Sequence, residues 1–310
     1  MESMTFLELT DQMMHLYTDG KFADALQLVE QNADRFPEQS ARTIFWKMCL
    51  LSLCNRPDEV LSIFRQGLDS GLWWAESQFL DQDLNAVRDL PEFKRLMAIS
   101  QEAYEEARRH IKRDQTVLVP EPPASGKYPL LIALHGRNGN KDSNLEYWEV
   151  ARQRGWLVLS PLSTQPLFLD SHCWDDPAEG VADLLFYYGQ VSQKYKIDPQ
   201  RVVIAGFSQG GGMAIYAALK GNLAPRGFIG VGTWWADANE LDCERKDVRG
   251  YFVVGEKDHT LERVREIQAS LRKNNIPLGE EVHADLGHAF PADFERSFDK
   301  AIDFIFMEKE

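Results

Sequence analysis

From about residue 116 onward, short apolar runs rich in β-branched residues alternate with helical patterns. The runs are TVLVP, PLLIALH, WLVLSP, RVVIAG, FIGVG, YFVVG and EEVHAD, and the helical patterns fall near 143–154, 177–195, 209–220, 260–274 and 291–307. Runs that are apolar on both faces and separated by helices are typical of a parallel sheet covered on both sides. The sequence therefore predicts an α/β fold with a mostly parallel central sheet.

Residues 5–113 have a different pattern, which is helical almost throughout. Apolar residues recur at three- and four-residue spacing in TFLELTDQMMHLYTDG and again in KFADALQLVEQNADRF. A second pair of helices is expected at 41–54 and 57–70. A shift of 35 residues superposes the apolar positions of the two pairs, which is close to the period of about 34 residues of a tetratricopeptide repeat. We therefore expect an all-α domain over 1–113, either tetratricopeptide-like or a plain helical bundle, and an α/β domain over 114–310.

Charge and composition limit the classes of partner. With 48 acidic and 34 basic residues the net charge is −14, and such a chain is not expected to bind nucleic acid or an anionic membrane surface. The first segment, MESMTFLELTDQMMHLY, has neither a basic run nor a long apolar run. We therefore expect no secretory signal, no membrane span and a cytoplasmic location. Cys49, Cys54, Cys173 and Cys243 are widely spaced, which predicts neither a disulfide framework nor a zinc site.

One serine lies in a turn crowded with glycine, RVVIAGFSQGGGMAIYAALK, between a predicted strand and a predicted helix. Gly206 to Gly210 spell G-x-S-x-G, the pattern of a nucleophile elbow. Such a turn strains the serine backbone, and side chains at the two glycine positions would collide with the crossing strand and helix. It also aims the first helical N–H groups at the serine oxygen. Ser208 is therefore the candidate nucleophile, and a simple helix cap is the alternative.

A serine hydroxyl is a weak nucleophile that needs a base, and the base needs an orienting acid. In folds with this turn the base and its acid follow the serine, with the acid first and the histidine last. His288, in the loop ADLGHAF after the last predicted strand, is the candidate base, whereas His283 within EEVHAD is expected to be structural. Asp258, in the turn after YFVVG, is the candidate acid and Glu256 is its rival.

Acyl transfer also needs two backbone donors for the oxyanion. We expect one from the N–H of Gln209, directly after the serine, and the second from the N–H of Arg137 in LLIALHGRNGN. Gly136 lets that backbone approach a substrate closely, and His135 is expected to be structural. The Arg137 side chain either pairs with an acidic substrate group or faces solvent.

Several tryptophans are candidates for a substrate pocket. Trp174, Trp234 and Trp235 follow predicted strands, where they either wall an apolar pocket or belong to the core. Trp73 and Trp74 are expected to serve as core or inter-domain contacts of the helical domain.

The strings LHGRNGN, HCWDDP, KIDPQRVVIAGFSQGGGMAIYAAL, VVGEKD and LGHAF resemble, in this order, the α/β-hydrolases. They are most similar to the carboxylesterase/phospholipase branch, which includes acyl-protein thioesterase-like enzymes, with dienelactone hydrolases as relatives. The resemblance covers about 116–310 and implies a triad of Ser208, Asp258 and His288 and an esterase without a metal or other cofactor. Arg137, His172 and Cys173 depart from the pattern of that branch.

These observations predict a serine hydrolase that cleaves small-molecule carboxylic esters or thioesters through an acyl-enzyme. A serine peptidase of the same fold is one alternative. A catalytically silent interaction protein, which recruits a partner through the helical domain, is another. The helical domain could also form a homodimer.

Overall fold

In a computed structural model, which describes residues 4–241 and 247–307, the chain divides into two units. The helical unit contains Met1–Ile111 and Pro166–Asp170, and the sheet unit contains Lys112–Gln165 and Ser171–Glu310. Cys243 lies outside the described residues. Within 4–241 and 247–307, no helix has an apolar stretch long enough to cross a bilayer.

The helical unit contains α1 (Phe6–Thr18), α2 (Phe22–Asn32), α3 (Ser40–Leu53), α4 (Pro57–Asp69) and α5 (Pro91–Arg109). Prolines at the first turns of α4 and α5 fit there because those positions have no intrahelical partner for an N–H. Between these two helices the chain forms 3₁₀ turns at Glu76–Leu80 and Gln82–Leu84, where the sequence pattern had suggested longer helix. Gly71 lies just after the end of α4, and its φ of 84° prevents the helix from continuing, because helical residues need negative φ.

The core of the helical unit is aromatic. Trp74 is fully buried and packs edge-on against Phe64, with 5.7 Å between the ring centroids. Its indole N–H donates a hydrogen bond to the Ala41 carbonyl at 3.0 Å. Residues 166–170 belong to this unit, and the Ala75 N–H donates to the Leu167 carbonyl at 2.7 Å. Trp74 is therefore a core residue, as the sequence suggested.

The described strands are β1 (Gln115–Leu118), β2 (Tyr128–Leu134), β3 (Leu157–Pro161), β4 (Gln165–Phe168), β5 (Ser171–Cys173), β6 (Ile197–Phe207), β7 (Gly227–Val231), β8 (Arg249–Gly255) and β9 (Leu278–His283). The sheet unit is built on the seven strands that the sequence predicts, in the order β1-β3-β2-β6-β7-β8-β9. β1 is antiparallel to β3, and every other neighbouring pair of this sheet is parallel. The short strands β4 and β5 lie outside this sheet and were not predicted.

Helices cover both faces of this sheet, which explains why its central strands are apolar throughout. These helices lie close to the predicted spans: α6 (Leu145–Gln153), α7 (Pro177–Lys194), α8 (Gln209–Lys220), α9 (Leu261–Lys273) and α10 (Phe294–Phe306). One buried cluster lies between the sheet and α7, α8 and α9, and the other between the sheet and α6 and α10. The predicted α/β fold is thus confirmed.

Parallel pairing brings the carboxyl ends of the central strands to one edge of the sheet. Gly206 near the end of β6 pairs with Leu134 of β2 and with Gly230 of β7, and Gly255 of β8 pairs with His283 of β9. The loops that follow these strands therefore share that edge, which is where α/β sheets bind ligands.

Helix α8 packs closely on the loop after β7 because three successive residues of its first turn, Gly210 to Gly212, have no side chain. A methyl group built on Gly212 would lie 2.4 Å from the Trp234 carbonyl oxygen and 2.4 Å from the Trp235 ring. Neither neighbour can withdraw easily, since one is backbone and the other is a buried indole.

We expect Gly212→Ala to lower the free energy of unfolding by about 1–3 kcal/mol through overpacking. Gly189→Ala in α7 is the matched control, because a methyl group there meets nothing within 4 Å. It should instead stabilise by about 0.4–1 kcal/mol, through the lower chain entropy of the unfolded state. Urea unfolding followed by tryptophan fluorescence measures both, and equal effects of the two changes would contradict this account of the packing.

Candidate active site

Ser208 has the strained backbone that the glycine-rich turn predicted. Its φ is 53° and its ψ −120°, outside the regions that non-glycine residues favour. Its N–H donates to the Val231 carbonyl at 2.8 Å, and its carbonyl accepts from the N–H groups of Gly211 and Trp234, both at 3.0 Å. Ser208 directly precedes α8, yet its side chain makes no capping bond in the described structure. The helix-cap alternative therefore finds no support.

The two glycines of the motif are required by steric contact. A methyl group on Gly206 would lie 2.3 Å from the Gly210 carbonyl carbon. One on Gly210 would lie 2.3 Å from the His135 carbonyl oxygen. Strand, helix and the loop after β2 thus meet at the serine at distances that only glycine allows.

His288 and Asp258 form a bonded pair. Nδ1 of His288 lies 3.0 Å from both carboxylate oxygens of Asp258, which is buried, while Glu256 is exposed. Burial alone would raise the pKa of Asp258, but the hydrogen bonds from His288 and Thr260 outweigh it, so this pKa is lowered. Asp258 is therefore a carboxylate at neutral pH and accepts a hydrogen bond from the N–H at Nδ1 of His288. The Nε2 lone pair of His288 is then free to act as a base.

Gly232 joins this pair to the serine turn, and the sequence analysis missed it. Its neighbour Val231 accepts the hydrogen bond from Ser208. A methyl group on Gly232, which has φ 51°, would lie 3.0 Å from Nδ1 of His288 and 3.0 Å from Oδ2 of Asp258. A glycine directly after a strand of the predicted parallel sheet was the available signal.

Two aromatic rings pack against His288. The Phe207 ring lies 4.7 Å from the imidazole and the His259 ring 4.5 Å, measured between centroids. His283, by contrast, approaches Ser297 Oγ at 3.2 Å and Glu281 at 3.6 Å, which agrees with its expected structural role.

The loop after β2 runs beside the serine. A methyl group on Gly136 would lie 3.4 Å from Cβ of Ser208. The carbonyl of Gly136 accepts from Nδ1 of His135 at 2.9 Å and from the N–H of Gly139 at 3.1 Å, while Nε2 of His135 accepts from the N–H of Ser163 at 3.3 Å. His135 is fully buried as a neutral ring, because burial lowers its pKa to about 3. It is a structural residue in this loop, as expected.

Gln209 and Arg137 contact the same short segment through their side chains. The buried Gln209 side chain bonds to the Trp174 backbone N–H and to Asp175, and Arg137 forms an ion pair with Asp175. Arg137 therefore already has an acidic partner within the protein. His172 is buried, and its backbone N–H donates to the Gly139 carbonyl at 2.9 Å.

The tryptophans predicted for a pocket have different surroundings. Trp174 is buried and donates its indole N–H to the His135 carbonyl at 2.9 Å. Trp235 is also buried, with its indole N–H 3.1 Å from a carboxylate oxygen of Glu240. Trp234 is 38 % exposed, and its backbone N–H bonds to the serine turn. Trp234 is thus the one of the three whose ring is open to solvent.

Among the described residues, two groups have the donor atoms that a metal ion could use. One is Asp258 with His259 and His288, the other Cys49 with Asp81 and Asp83, and in each group the donor atoms lie within 4.8 Å of one another. In the first group the Asp258 oxygens already accept hydrogen bonds from His288 and Thr260. A cation there would therefore displace the bond that orients the imidazole.

We expect Gly232→Ala to break the His288–Asp258 bond, because the new methyl group would occupy the space beside both side chains. The downfield proton resonance of His288 Nδ1–H should shift or disappear. Gly155→Ala is the control, since Gly155 also has positive φ (82°) but open space around it. That variant should keep the resonance, and an unaltered resonance in Gly232→Ala would contradict the assigned contact.

His135 should make stability pH-dependent. Its pKa is about 6.5 when unfolded and about 3 when buried, so between these values only the unfolded state binds the proton. The free energy of unfolding should therefore fall as pH falls from about 6.5 toward 3. His135→Asn should make this slope shallower by up to about 1.4 kcal/mol per pH unit. Urea unfolding at pH 7, 6 and 5 measures the slopes, and equal slopes would refute the buried neutral ring.

Comparison with known proteins finds similar sequences in both parts of the chain. Residues 187–305 match the phospholipase/carboxylesterase family model, and residues 5–108 match the model described as A/B hydrolase-like, N-terminal domain. A poly(3-hydroxybutyrate) depolymerase from Ralstonia pickettii is 32% identical over 126 residues, which cover 35% of this chain and 25% of that protein. The chain thus spans about a quarter of the length of the curated relative that it matches.

Two solved structures share the fold. An uncharacterized protein from Bacillus cereus ATCC 10987 is 24% identical, with 98% of this chain and 99% of that chain covered and a TM-score of 0.54. MGS-M1, an alpha/beta hydrolase from a Medee basin deep-sea metagenome library, is 14% identical, with 64% and 93% covered and a TM-score of 0.53. The chain therefore has the fold of these proteins, and it is similar to the phospholipase/carboxylesterase family over 187–305 and to the A/B hydrolase-like N-terminal domain over 5–108.

Proposed function

We propose that this protein is a serine hydrolase that cleaves carboxylic esters or thioesters through an acyl-enzyme. The observation that carries the proposal is the strained turn at Ser208, which shares one sheet edge with the bonded pair of His288 and Asp258. The match to the phospholipase/carboxylesterase model and the likeness to a poly(3-hydroxybutyrate) depolymerase support ester chemistry.

In the proposed mechanism, Nε2 of His288 removes the proton from Ser208 Oγ as that oxygen attacks the substrate carbonyl carbon. Asp258 keeps the imidazole in the correct tautomer and stabilises the imidazolium that forms. The tetrahedral oxyanion accepts hydrogen bonds from the backbone N–H groups of Gln209 and Arg137. Collapse releases the alcohol or thiol, which takes the proton from His288. Water, activated by the same imidazole, then hydrolyses the acyl-enzyme.

The acyl group would lie against Trp234. The Trp234 residue is 38 % exposed and its backbone N–H is bonded to the Ser208 carbonyl, which makes it the candidate for an apolar wall beside the serine turn. Trp174 and Trp235 are buried, and their contribution to a pocket stays a prediction. The Arg137 guanidinium is paired with Asp175, so an acidic substrate group would have to compete with that carboxylate.

The decisive experiment replaces the proposed nucleophile. We expect Ser208→Ala to lower kcat for a nitrophenyl ester by at least ~10³-fold, because the residual rate comes from the other parts of the site alone. A fluorophosphonate probe should label the wild type but not this variant. Ser192→Ala, an exposed serine of α7, is the control and should label like the wild type.

Each alternative has its own outcome in this experiment. A peptidase would turn over aminoacyl anilides at a rate comparable to that of nitrophenyl esters. A silent interaction protein would be folded but unlabelled by the probe. Ester turnover that persists undiminished in Ser208→Ala would show that another group is the nucleophile.

A further inference from the structure

Gln209 combines two features that its proposed catalytic role does not require of one residue. Only its backbone N–H is the proposed oxyanion donor, yet the residue is 3 % exposed and both polar atoms of its side chain are hydrogen-bonded. Oε1 accepts from the Trp174 backbone N–H at 3.0 Å, and Nε2 donates to Oδ1 of Asp175 at 2.8 Å. The side-chain amide of Gln209 is thus hydrogen-bonded to two successive residues, Trp174 and Asp175. Both belong to the segment 172–175, and we call this segment the strap.

The strap is also bonded to the loop after β2. The Trp174 indole donates to the His135 carbonyl at 2.9 Å, and its ring packs on the His135 ring at 4.9 Å between centroids. The His172 backbone N–H donates to the Gly139 carbonyl at 2.9 Å. Asp175 pairs with the Arg137 guanidinium. The strap therefore connects the start of α8 to residues 135, 137 and 139 of the loop 135–139.

Within this loop the orientation of one peptide group decides where the second oxyanion donor points. The Gly136 carbonyl is held from two sides, by Nδ1 of His135 and by the N–H of Gly139. In a trans peptide the N–H of the next residue, Arg137, points opposite to that carbonyl. Any rotation of this peptide would therefore turn the Arg137 N–H away from the oxyanion.

We infer that the strap is the positioning element of the oxyanion hole, and that the side chains of Gln209 and Asp175 hold its two donors at a fixed separation. The inference rests on the proposed serine-hydrolase function. Gln209 supplies one donor from its backbone, while its side chain fixes the strap, and the strap fixes the loop that supplies the other donor. Gln209 and Asp175 are positioning residues in this respect, because their side chains act through the loop.

The inference predicts effects confined to the transition state, where the carbonyl oxygen becomes an oxyanion. Gln209→Met keeps the backbone N–H and the approximate volume but removes both side-chain bonds. We expect kcat for a nitrophenyl ester to fall about 10–100-fold, less than the roughly 10²–10³-fold loss from deleting a whole donor, with KM within about twofold. The affinity for a trifluoromethyl ketone, whose adduct with Ser208 has an oxyanion, should fall by the same factor.

Gln268→Met is the matched control. Gln268, on α9, is also a buried glutamine of the sheet unit, and its side-chain amide donates a hydrogen bond to the Glu280 carboxylate at 3.1 Å. Its replacement removes the same kind of bond and should lower the melting temperature but leave kcat and ketone affinity unchanged. This control separates positioning from a general loss of stability.

Asp175→Asn provides a second, milder test should Gln209→Met fail to fold. The new side-chain oxygen can still accept from the Gln209 amide, but the charge that pairs with Arg137 is lost. We expect kcat and ketone affinity to fall together, by about 3–10-fold, a fraction of the loss from deleting a donor.

Two results would overturn the inference. The first is a folded Gln209→Met, or Asp175→Asn in its place, with wild-type kcat and ketone affinity. The second is a loss in kcat without a matching loss in ketone affinity. If instead Ser208→Ala retains ester turnover, the proposed function itself fails, because no oxyanion then forms on a Ser208 adduct next to the loop that the strap positions. The Ser208→Ala measurement therefore separates the two failures.

Discussion

The backbone turn at Ser208 is the constraint on which the rest of the site depends. A non-glycine residue at φ 53° costs on the order of 1–3 kcal/mol and persists only where its surroundings fix it. Here its N–H donates a hydrogen bond to the carboxyl end of β7, and its carbonyl accepts hydrogen bonds from N–H groups of α8 and of the loop at Trp234. The strain is thus balanced by backbone bonds to β7, to α8 and to the loop at Trp234, and the hydroxyl group makes no capping bond to the helix.

This turn also determines what its neighbours can be. The bond from Ser208 to Val231 places Gly232 against the pair of Asp258 and His288, where a methyl group would lie only 3.0 Å from each side chain. On its other side, Gly210 touches the carbonyl of His135, which begins the loop that the strap holds. A single backbone conformation therefore brings the proposed nucleophile, base and oxyanion donors to one sheet edge, and glycines set the distances between them.

The sequence predicted those parts that local patterns determine. Apolar runs alternating with helices defined the sheet unit, and strand ends followed by glycine located Ser208, Asp258 and the loop at Gly136. Gly232 and the Gln209 side chain were missed in their present roles, because their contacts join residues 26 or more positions apart in the chain. The strands β4 and β5 are too short to show a periodic pattern. The tetratricopeptide-like nature of the helical unit stays a prediction.

The central claim is that Ser208 carries the acyl group during turnover, and mass spectrometry of the acid-quenched enzyme tests it most directly. After a brief reaction with a nitrophenyl ester, the wild-type protein should gain the mass of one acyl group. Peptide mapping should locate that group on Ser208, and replacing His288 should abolish its accumulation. An acyl group on any other residue, or ester turnover without a covalent intermediate, would contradict the account.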